Sequence, residues 1–474
     1  MGAWVARLVV IGGGAAGMSA ASAARRVAPD LDVVVCEAGG FAAYGMCGIP
    51  YYLGGVVPEA EDLLAYPPSE FRDKRGIDLR LRTWVSAIDP AAHQVWAAGP
   101  DGGGPAGGGQ DGGGPLGYDA LVLASGAGPV RPPVPGLDGP RVFTIRSLDE
   151  AIGLRQLLDS GTVRRAIVVG AGYVGLEAAE GLADAGAEVE IVEALPRVLG
   201  NVDEPIAAVV QAELERHVRV RLSTRLDEVR DGGGGELTAV VGGAETGTDL
   251  VVVAAGVRPV SDLLIQAGAE HLPDRSLLVD AQQRTSVPDV FAAGDCTALH
   301  HLVLDRPAWI PLGPAANKTG RVAGTVAAGG SASFGGIVGT AVVKVFGLEV
   351  ARTGLTLAEA EAGGLAARAV DVVSRSRAKY YPGAQPLHVR LVHAPDGRLL
   401  GGQLAGREGA AKRIDVLATA LHAGMSVADI AGLDLSYAPP FAPVYDPVLA
   451  AAIKAAGAVP STAGGSHEPA ATPR

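Results

Sequence analysis

Residues 7–37 read RLVVIGGGAAGMSAASAARRVAPDLDVVVCE, and this stretch decides the fold. An apolar run ends in glycines, an alanine-rich helical pattern follows, and a second apolar run at 31–36 closes on an acid. The order is strand, helix, strand. Gly12, Gly14 and Gly17 stand at G-x-G-x-x-G spacing between strand and helix, and Glu37 ends the second strand. Glycines there allow a tight turn and let the backbone approach a pyrophosphate at the positive end of a helix, while the acid takes a ribose hydroxyl. Glycine turns alone are common, but strand, helix and acid together make the pattern specific.

The same order returns at 164–193, RRAIVVGAGYVGLEAAEGLADAGAEVEIVE, with Gly170, Gly172 and Gly175 in the turn and Glu193 at the end of the second strand. An acid at that place favours the free 2′-hydroxyl of NADH over the 2′-phosphate of NADPH, and the nearby Arg197 keeps NADPH open. Further on, AAGDCT at 292–297 resembles the second FAD motif of the two-dinucleotide flavoproteins. That resemblance gives Asp295 the ribityl and pyrophosphate region of FAD, assigns FAD to the first unit and leaves the nicotinamide to the second. The turns ASGAGPVRP (124–132) and AAGVRP (254–259) resemble the paired crossings of such proteins.

With 474 residues, several domains are expected. No apolar run reaches the roughly 18 residues of a membrane-spanning helix, and the start lacks a signal-peptide pattern, so a cytoplasmic protein away from the membrane is expected. A net charge of −12, with no basic patch evident in the sequence, argues against nucleic acid as a partner. The alanine and glycine excess reads as coding bias. Cys36, Cys47 and Cys296 lie far apart without a CxxC pair, which excludes a disulfide framework or thiolate zinc site. His300 and His301 lack metal-site spacing and read as surface hydrogen-bonding residues, so no metal is expected.

Cys47 lies in YGMCGIPYYLGG, ahead of a proline-bearing helix start. A thiol at a helix N-terminus is expected to have a lowered pKa and to act as a nucleophile at neutral pH. Cys36 reads as core, Cys296 as packing near the flavin, and Arg25 and Arg26 as cations at a helix C-terminus.

On these motifs the sequence resembles the pyridine nucleotide–disulfide oxidoreductases, and within them the single-cysteine group of coenzyme A disulfide reductases, NAD(P)H persulfide reductases and NADH oxidases. Ala42 stands where the two-cysteine members carry the partner thiol, and Ala15 where peroxidases and water-forming oxidases carry a histidine. YYPGAQPLHVR, EGAAKRIDVLATAL and SYAPPFAPVYDP resemble the family's dimerisation domain, where two tyrosines reach the partner subunit's cysteine. Tyr437 and Tyr380 match them, with Tyr381 the alternative to Tyr380, and the resemblance implies that the region of Arg25 and Arg26 can serve coenzyme A phosphates. One departure loosens coenzyme A as substrate: Ala43-Tyr44-Gly45-Met46 replaces the family's Ser-Phe-x-Asn.

The expected fold is α/β, with two Rossmann-like dinucleotide-binding domains for FAD and NAD(P) and a C-terminal α+β dimerisation domain. The expected boundaries are 1–148 and 273–338 for FAD, 149–272 for NAD(P), 339–459 for dimerisation and 460–474 for a disordered tail, with a flexible hairpin loop from Gly99 to Gly117. The expected function is NAD(P)H-dependent reduction of a low-molecular-weight disulfide or persulfide, coenzyme A disulfide leading, through a mixed disulfide on Cys47 in a homodimer. The rivals are an NADH oxidase or peroxidase using a cysteine sulfenic acid, and a flavoprotein redox sensor or electron donor to a partner protein.

Overall fold

The computed structural model describes residues 6–99 and 114–459. The chain divides into two compact units, Met1–Gly200 with Ala207–Gly339 and Val343–Phe346, and Asn201–Ile206 with Thr340–Val342 and Gly347–Arg474.

The first unit holds two parallel sheets of the same design. One runs Ile77–Arg80, Asp32–Cys36, Arg7–Ile11, Ala120–Leu123, Val290–Ala292, with Arg7–Ile11 pairing to Asp32–Cys36 on one side and to Ala120–Leu123 on the other. The other runs Arg219–Arg221, Glu188–Val192, Arg165–Val169, Leu250–Val253, Val142–Phe143. In each, the strand order reverses at the first strand, which opens a crevice at its carboxyl end, where ligands bind in open α/β sheets. Leu8, Val9 and Val10 are fully buried, as strands covered on both faces require. The two crossings 124–132 and 254–259 pair with each other through an antiparallel ribbon, Ala127–Pro129 against Val257–Pro259.

The small residues have structural work. The helices Ala15–Val27 and Gly313–Ala327 meet so closely that a Cβ on Gly320 would lie 2.1 Å from the Ala16 carbonyl oxygen and one on Gly324 would lie 2.0 Å from that of Ala20. At these positions the alanine and glycine excess serves backbone-to-backbone packing, which coding bias does not explain. The supposed loop from Gly99 to Gly117 is also corrected at its end, where Pro115–Gly117 pairs with Gln94–Ala98. Residues 100–113 and the tail 460–474 lie outside the described residues.

The second unit carries four antiparallel strands in the order Leu348–Gly354, Leu399–Gly406, Pro386–His393, Arg368–Arg375, flanked by the helices Ala410–His422 and Pro447–Gly457. Asp203 is buried within this unit and accepts hydrogen bonds from Arg390 Nε and Gln403 Nε2, both at 2.8 Å. Asp203→Ala strands the buried guanidinium and is expected to cost about 3 kcal/mol, the lower end for a broken buried pair because Asp371 still faces Arg390. A urea titration followed by tryptophan fluorescence measures it. Among the described residues no helix is long and apolar enough to cross a membrane.

Candidate active site

The two glycine turns superimpose in their chemistry. Gly12 and Gly170 adopt φ of +104° and +106°, and a Cβ on either would fall 2.3 or 2.4 Å from the carbonyl oxygen of Ala124 or Ala254. Only glycine fits there. Gly17 and Gly175 pack on the same turns, where a Cβ would lie 1.8 Å from Gly12 O and 2.0 Å from Gly170 O. Gly14 and Gly172 differ: a Cβ on Gly14 meets only Met46 Cε, at 3.9 Å, and one on Gly172 meets nothing within 4 Å. No protein neighbour demands glycine at either place, so each keeps open a space of the kind a pyrophosphate would fill.

The acids close both turns identically. Glu37 accepts from the backbone N–H of Gly13 and of Gly39, both at 2.6 Å, and Glu193 accepts from Ala171 and Leu195, both at 2.7 Å. Arg197 donates to the Gly200 carbonyl oxygen at 3.3 Å. Asp295 is half-buried and its carboxylate receives no hydrogen bond among the described residues, while its main-chain carbonyl accepts from Trp309 Nε1 at 2.7 Å. Burial holds this carboxyl above the usual carboxylate range, with Arg146 pulling the other way. A half-buried acid awaiting donors, beside a glycine turn held open, fits a hydroxyl-rich dinucleotide.

Cys47 corrects the expectation set on it. It sits in a single 3₁₀ turn, Met46–Gly48, ahead of a helix of only five residues, Ile49–Leu53, whose N-cap is Gly48. So short a helix, entered two residues late, supplies no lowered pKa. Although the residue is exposed, enough protein surrounds its sulfur that desolvation, followed by the negative charges of Glu177 and Asp295, pushes the thiol up; Arg146 opposes them. Cys36 and Cys296 are buried, and burial raises both to about 11. Cys296 Sγ contacts the carbonyl oxygens of Leu123 and Ala293. His301 is buried, contrary to a surface role, and its Nδ1 accepts from the backbone N–H of Val303 and Leu304.

Next to the cysteine turn opens a cavity of ≈ 720 Å³ that the sequence did not disclose. Ala43, Tyr44 and Gly45 form one wall, and Arg26, Arg75, Lys318 and Arg321 converge on it from three separate segments. No carboxylate lines it. Arg75 lies over the rings of Tyr66 and Phe71 at 4.3 and 4.9 Å. Among the described residues, Arg26, Lys318 and Arg321 have no ion-pair partner. The absence of a basic patch, read along the sequence, is thus corrected in space. The neighbouring arginines at the helix end divide the labour: Arg25 donates to the carbonyl oxygens of Arg75 and Leu31, while Arg26 faces the cavity.

In the second unit Tyr380 and Tyr437 are brought together, their hydroxyls 3.3 Å apart, and both are exposed. That bond pushes the Tyr437 hydroxyl up. Tyr381 turns elsewhere, with the Arg377 guanidinium over its ring.

Two nucleotide crevices and an exposed thiol define a class, the flavin- and nicotinamide-linked thiol oxidoreductases. Residues 6–326 match the family model described as pyridine nucleotide-disulphide oxidoreductase, and residues 340–447 match its dimerisation domain. An NAD(P)H sulfur oxidoreductase (CoA-dependent) of Pyrococcus furiosus is 36% identical over 94% of this chain and 97% of its own. An NAD(P)H coenzyme A polysulfide/persulfide reductase of Pyrococcus horikoshii is 36% identical over 94% and 97%. The solved NAD-dependent persulfide reductase of A. fulgidus has 37% identity and a TM-score of 0.89 over 95% of this chain and 83% of that one. The chain belongs to the pyridine nucleotide-disulphide oxidoreductases, enzymes that depend on FAD and use NAD(P)H.

Proposed function

We propose that the protein reduces a polyanionic low-molecular-weight disulfide or persulfide, of the coenzyme A type, at the expense of NADH, through a mixed disulfide on Cys47. The observation that carries this reading is the cavity beside the cysteine turn, cationic and free of carboxylates in a chain of net charge −12. A substrate with several phosphates gains charge-assisted hydrogen bonds there and reaches the thiol with its sulfur. A neutral or zwitterionic disulfide gains far less.

In this reading Gly12, Gly14, Gly17, Glu37 and Asp295 hold FAD, and Gly170, Gly172, Gly175 and Glu193 hold the nicotinamide nucleotide. Bound FAD supplies two-electron transfer between nicotinamide and sulfur. The Glu193 carboxylate repels a 2′-phosphate, and Arg197 is occupied at Gly200, which favours NADH. Cys47 attacks the substrate sulfur, one thiol departs, and the mixed disulfide carries the other half. The paired hydroxyls of Tyr380 and Tyr437 serve the cysteine of a second copy in a homodimer and donate to the departing sulfur. The dimerisation-domain match supports that part, and three unpaired cysteines accord with a reducing cytoplasm.

An anaerobic NADH-oxidation panel tests the proposal. Coenzyme A disulfide or persulfide should outpace glutathione disulfide, inorganic polysulfide, peroxide and oxygen. A preference for peroxide without added thiol, or equal rates with every disulfide, defeats it. Arg321→Ala should raise KM for coenzyme A disulfide roughly tenfold, the lower range for a charge-assisted hydrogen bond, and should flatten its dependence on salt.

A further inference from the structure

The hydroxyls of Tyr380 and Tyr437 stand 3.3 Å apart although the residues are 75% and 46% exposed. A neutral hydrogen bond open to water contributes too little to hold two side chains of separate loops in one arrangement. The pairing must be set at the base of the loops. We propose that Arg413 is the positioning residue that clamps both tyrosine loops and so presents the two hydroxyls as one donor pair. The inference rests on the reading above that this pair donates to the departing sulfur.

The loops come from different parts of the second unit. Tyr380 lies in the connection 376–385 between the strands Arg368–Arg375 and Pro386–His393, and Tyr437 in the segment 432–446 ahead of the helix Pro447–Gly457. Three rungs join them, the first being the hydroxyl pair. Two residues from each tyrosine, the backbone N–H of Ala378 donates to the Pro439 carbonyl oxygen at 3.1 Å. Four residues from each, Arg413 Nη2 donates to the carbonyl oxygens of Ser376 and Phe441, at 3.0 and 2.8 Å.

The third rung is the strong one. Arg413 projects from the helix Ala410–His422, and its Nε donates to the Asp446 carboxylate at 2.7 Å, with both side chains largely buried. A charge-assisted bond out of water holds its geometry far better than the exposed hydroxyls can. Asp446 also accepts from the backbone N–H of Val448 at 2.9 Å, which caps the helix that follows the Tyr437 loop. Gly409 makes room for the clamp: its φ is +83°, a Cβ there would lie 2.0 Å from Arg413 Nη1, and its carbonyl oxygen accepts from that nitrogen at 3.3 Å. The Tyr380 loop is closed through Ser376, whose hydroxyl donates to Glu408 at 3.0 Å and accepts from the backbone N–H of Gln385 at 3.1 Å. Arg377 Nε donates to the same carboxylate at 3.1 Å.

The clamp needs a guanidinium. One carboxylate and three carbonyl oxygens surround Arg413, and a planar fork of donors meets them at fixed angles, whereas an ammonium on a flexible stem cannot span both loops at once. Arg413 therefore acts through the tyrosines, by pre-organising them before the sulfur leaves.

Arg413→Lys in the FAD-loaded enzyme keeps the charge beside Asp446 and releases the loops. Its kcat for coenzyme A disulfide should fall about 10-fold or more with KM unchanged, and NADH should reduce the flavin at the wild-type rate. The bond to Tyr380 holds the Tyr437 hydroxyl up, so alkaline titration of tyrosinate absorbance should show one tyrosine ionising at lower pH, as in Tyr380→Phe. Tyr380→Phe with Tyr437→Phe should lose about 100-fold or more in kcat, and adding Arg413→Lys to that pair should cost nothing further. Asp446→Asn keeps a good cap but loses the charged acceptor, and should move kcat and the titration the same way if Arg413→Lys does not fold. Wild-type kcat and titration in the folded variant overturn the proposal, as does an equal further loss of kcat without the tyrosines, which makes Arg413 a structural residue only. Wild-type turnover without the two hydroxyls overturns the donor reading and the role of Arg413 in turnover with it, while the titration, which needs no substrate, reads the clamp separately.

Discussion

Cys47→Ser is expected to lower turnover of every disulfide and persulfide by about 10³-fold or more, since a serine hydroxyl can neither form the mixed disulfide nor leave as a stable anion. The flavin should stay bound and NADH should still reduce it, because the two nucleotide turns lie on other segments of the chain. Stopped-flow reduction of the flavin by NADH, beside steady-state disulfide reduction, reads the two separately. Cys36→Ala and Cys296→Ala supply the contrast. Both thiols are buried, and burial raises each to about 11, so neither offers a thiolate at neutral pH. Loss of disulfide turnover in either variant, with folding and flavin content intact, would contradict a single-thiol mechanism.

The fold was legible because its determinants are local. The six residues Gly12–Gly17 and the six residues Gly170–Gly175 specify a strand-turn-helix whose first and last glycines are forced by carbonyl oxygens that close in to about 2 Å of where a Cβ would stand. The cavity was not legible, because Arg26, Arg75, Lys318 and Arg321 converge only through the packing of the helices Ala15–Val27 and Gly313–Ala327. Along the sequence Arg26 reads only as a helix-end cation in a region that the resemblance links to coenzyme A phosphates, and nothing there joins Arg75, Lys318 and Arg321 to it. The activation of Cys47 was misread for a related reason. Proline after a cysteine announces a helix start, but it does not announce that the helix lasts five residues or that Glu177, 130 positions later, brings a negative charge to the sulfur. The glycines and alanines of Ala16, Ala20, Gly320 and Gly324 carried a signal too, at spacing four, which composition alone averaged away.

The second large effect separates two glycines of the same turn. Gly175→Ala would put a Cβ 2.0 Å from the Gly170 carbonyl oxygen, with no flexible side chain to give way, so the helix must lift off its strand. The expected loss is about 3 kcal/mol or more, in the range of core overpacking and strain, together with loss of NADH binding. Gly172→Ala has the opposite profile. Its φ of −80° suits any residue and nothing lies within 4 Å of the new Cβ, so stability should change by less than about 0.5 kcal/mol. KM for NADH should nonetheless rise roughly tenfold or more, because the methyl occupies the approach that the pyrophosphate needs. Flavin content should be normal, since Gly12, Gly14 and Gly17 are untouched. Thermal unfolding and NADH titration of the two variants test the assignment: were Gly172→Ala to bind NADH normally, the space it lines would not be where the nucleotide sits. Were it to unfold like Gly175→Ala, the turn would be built for stability at both positions, and the open space at Gly172 would carry no information about a ligand.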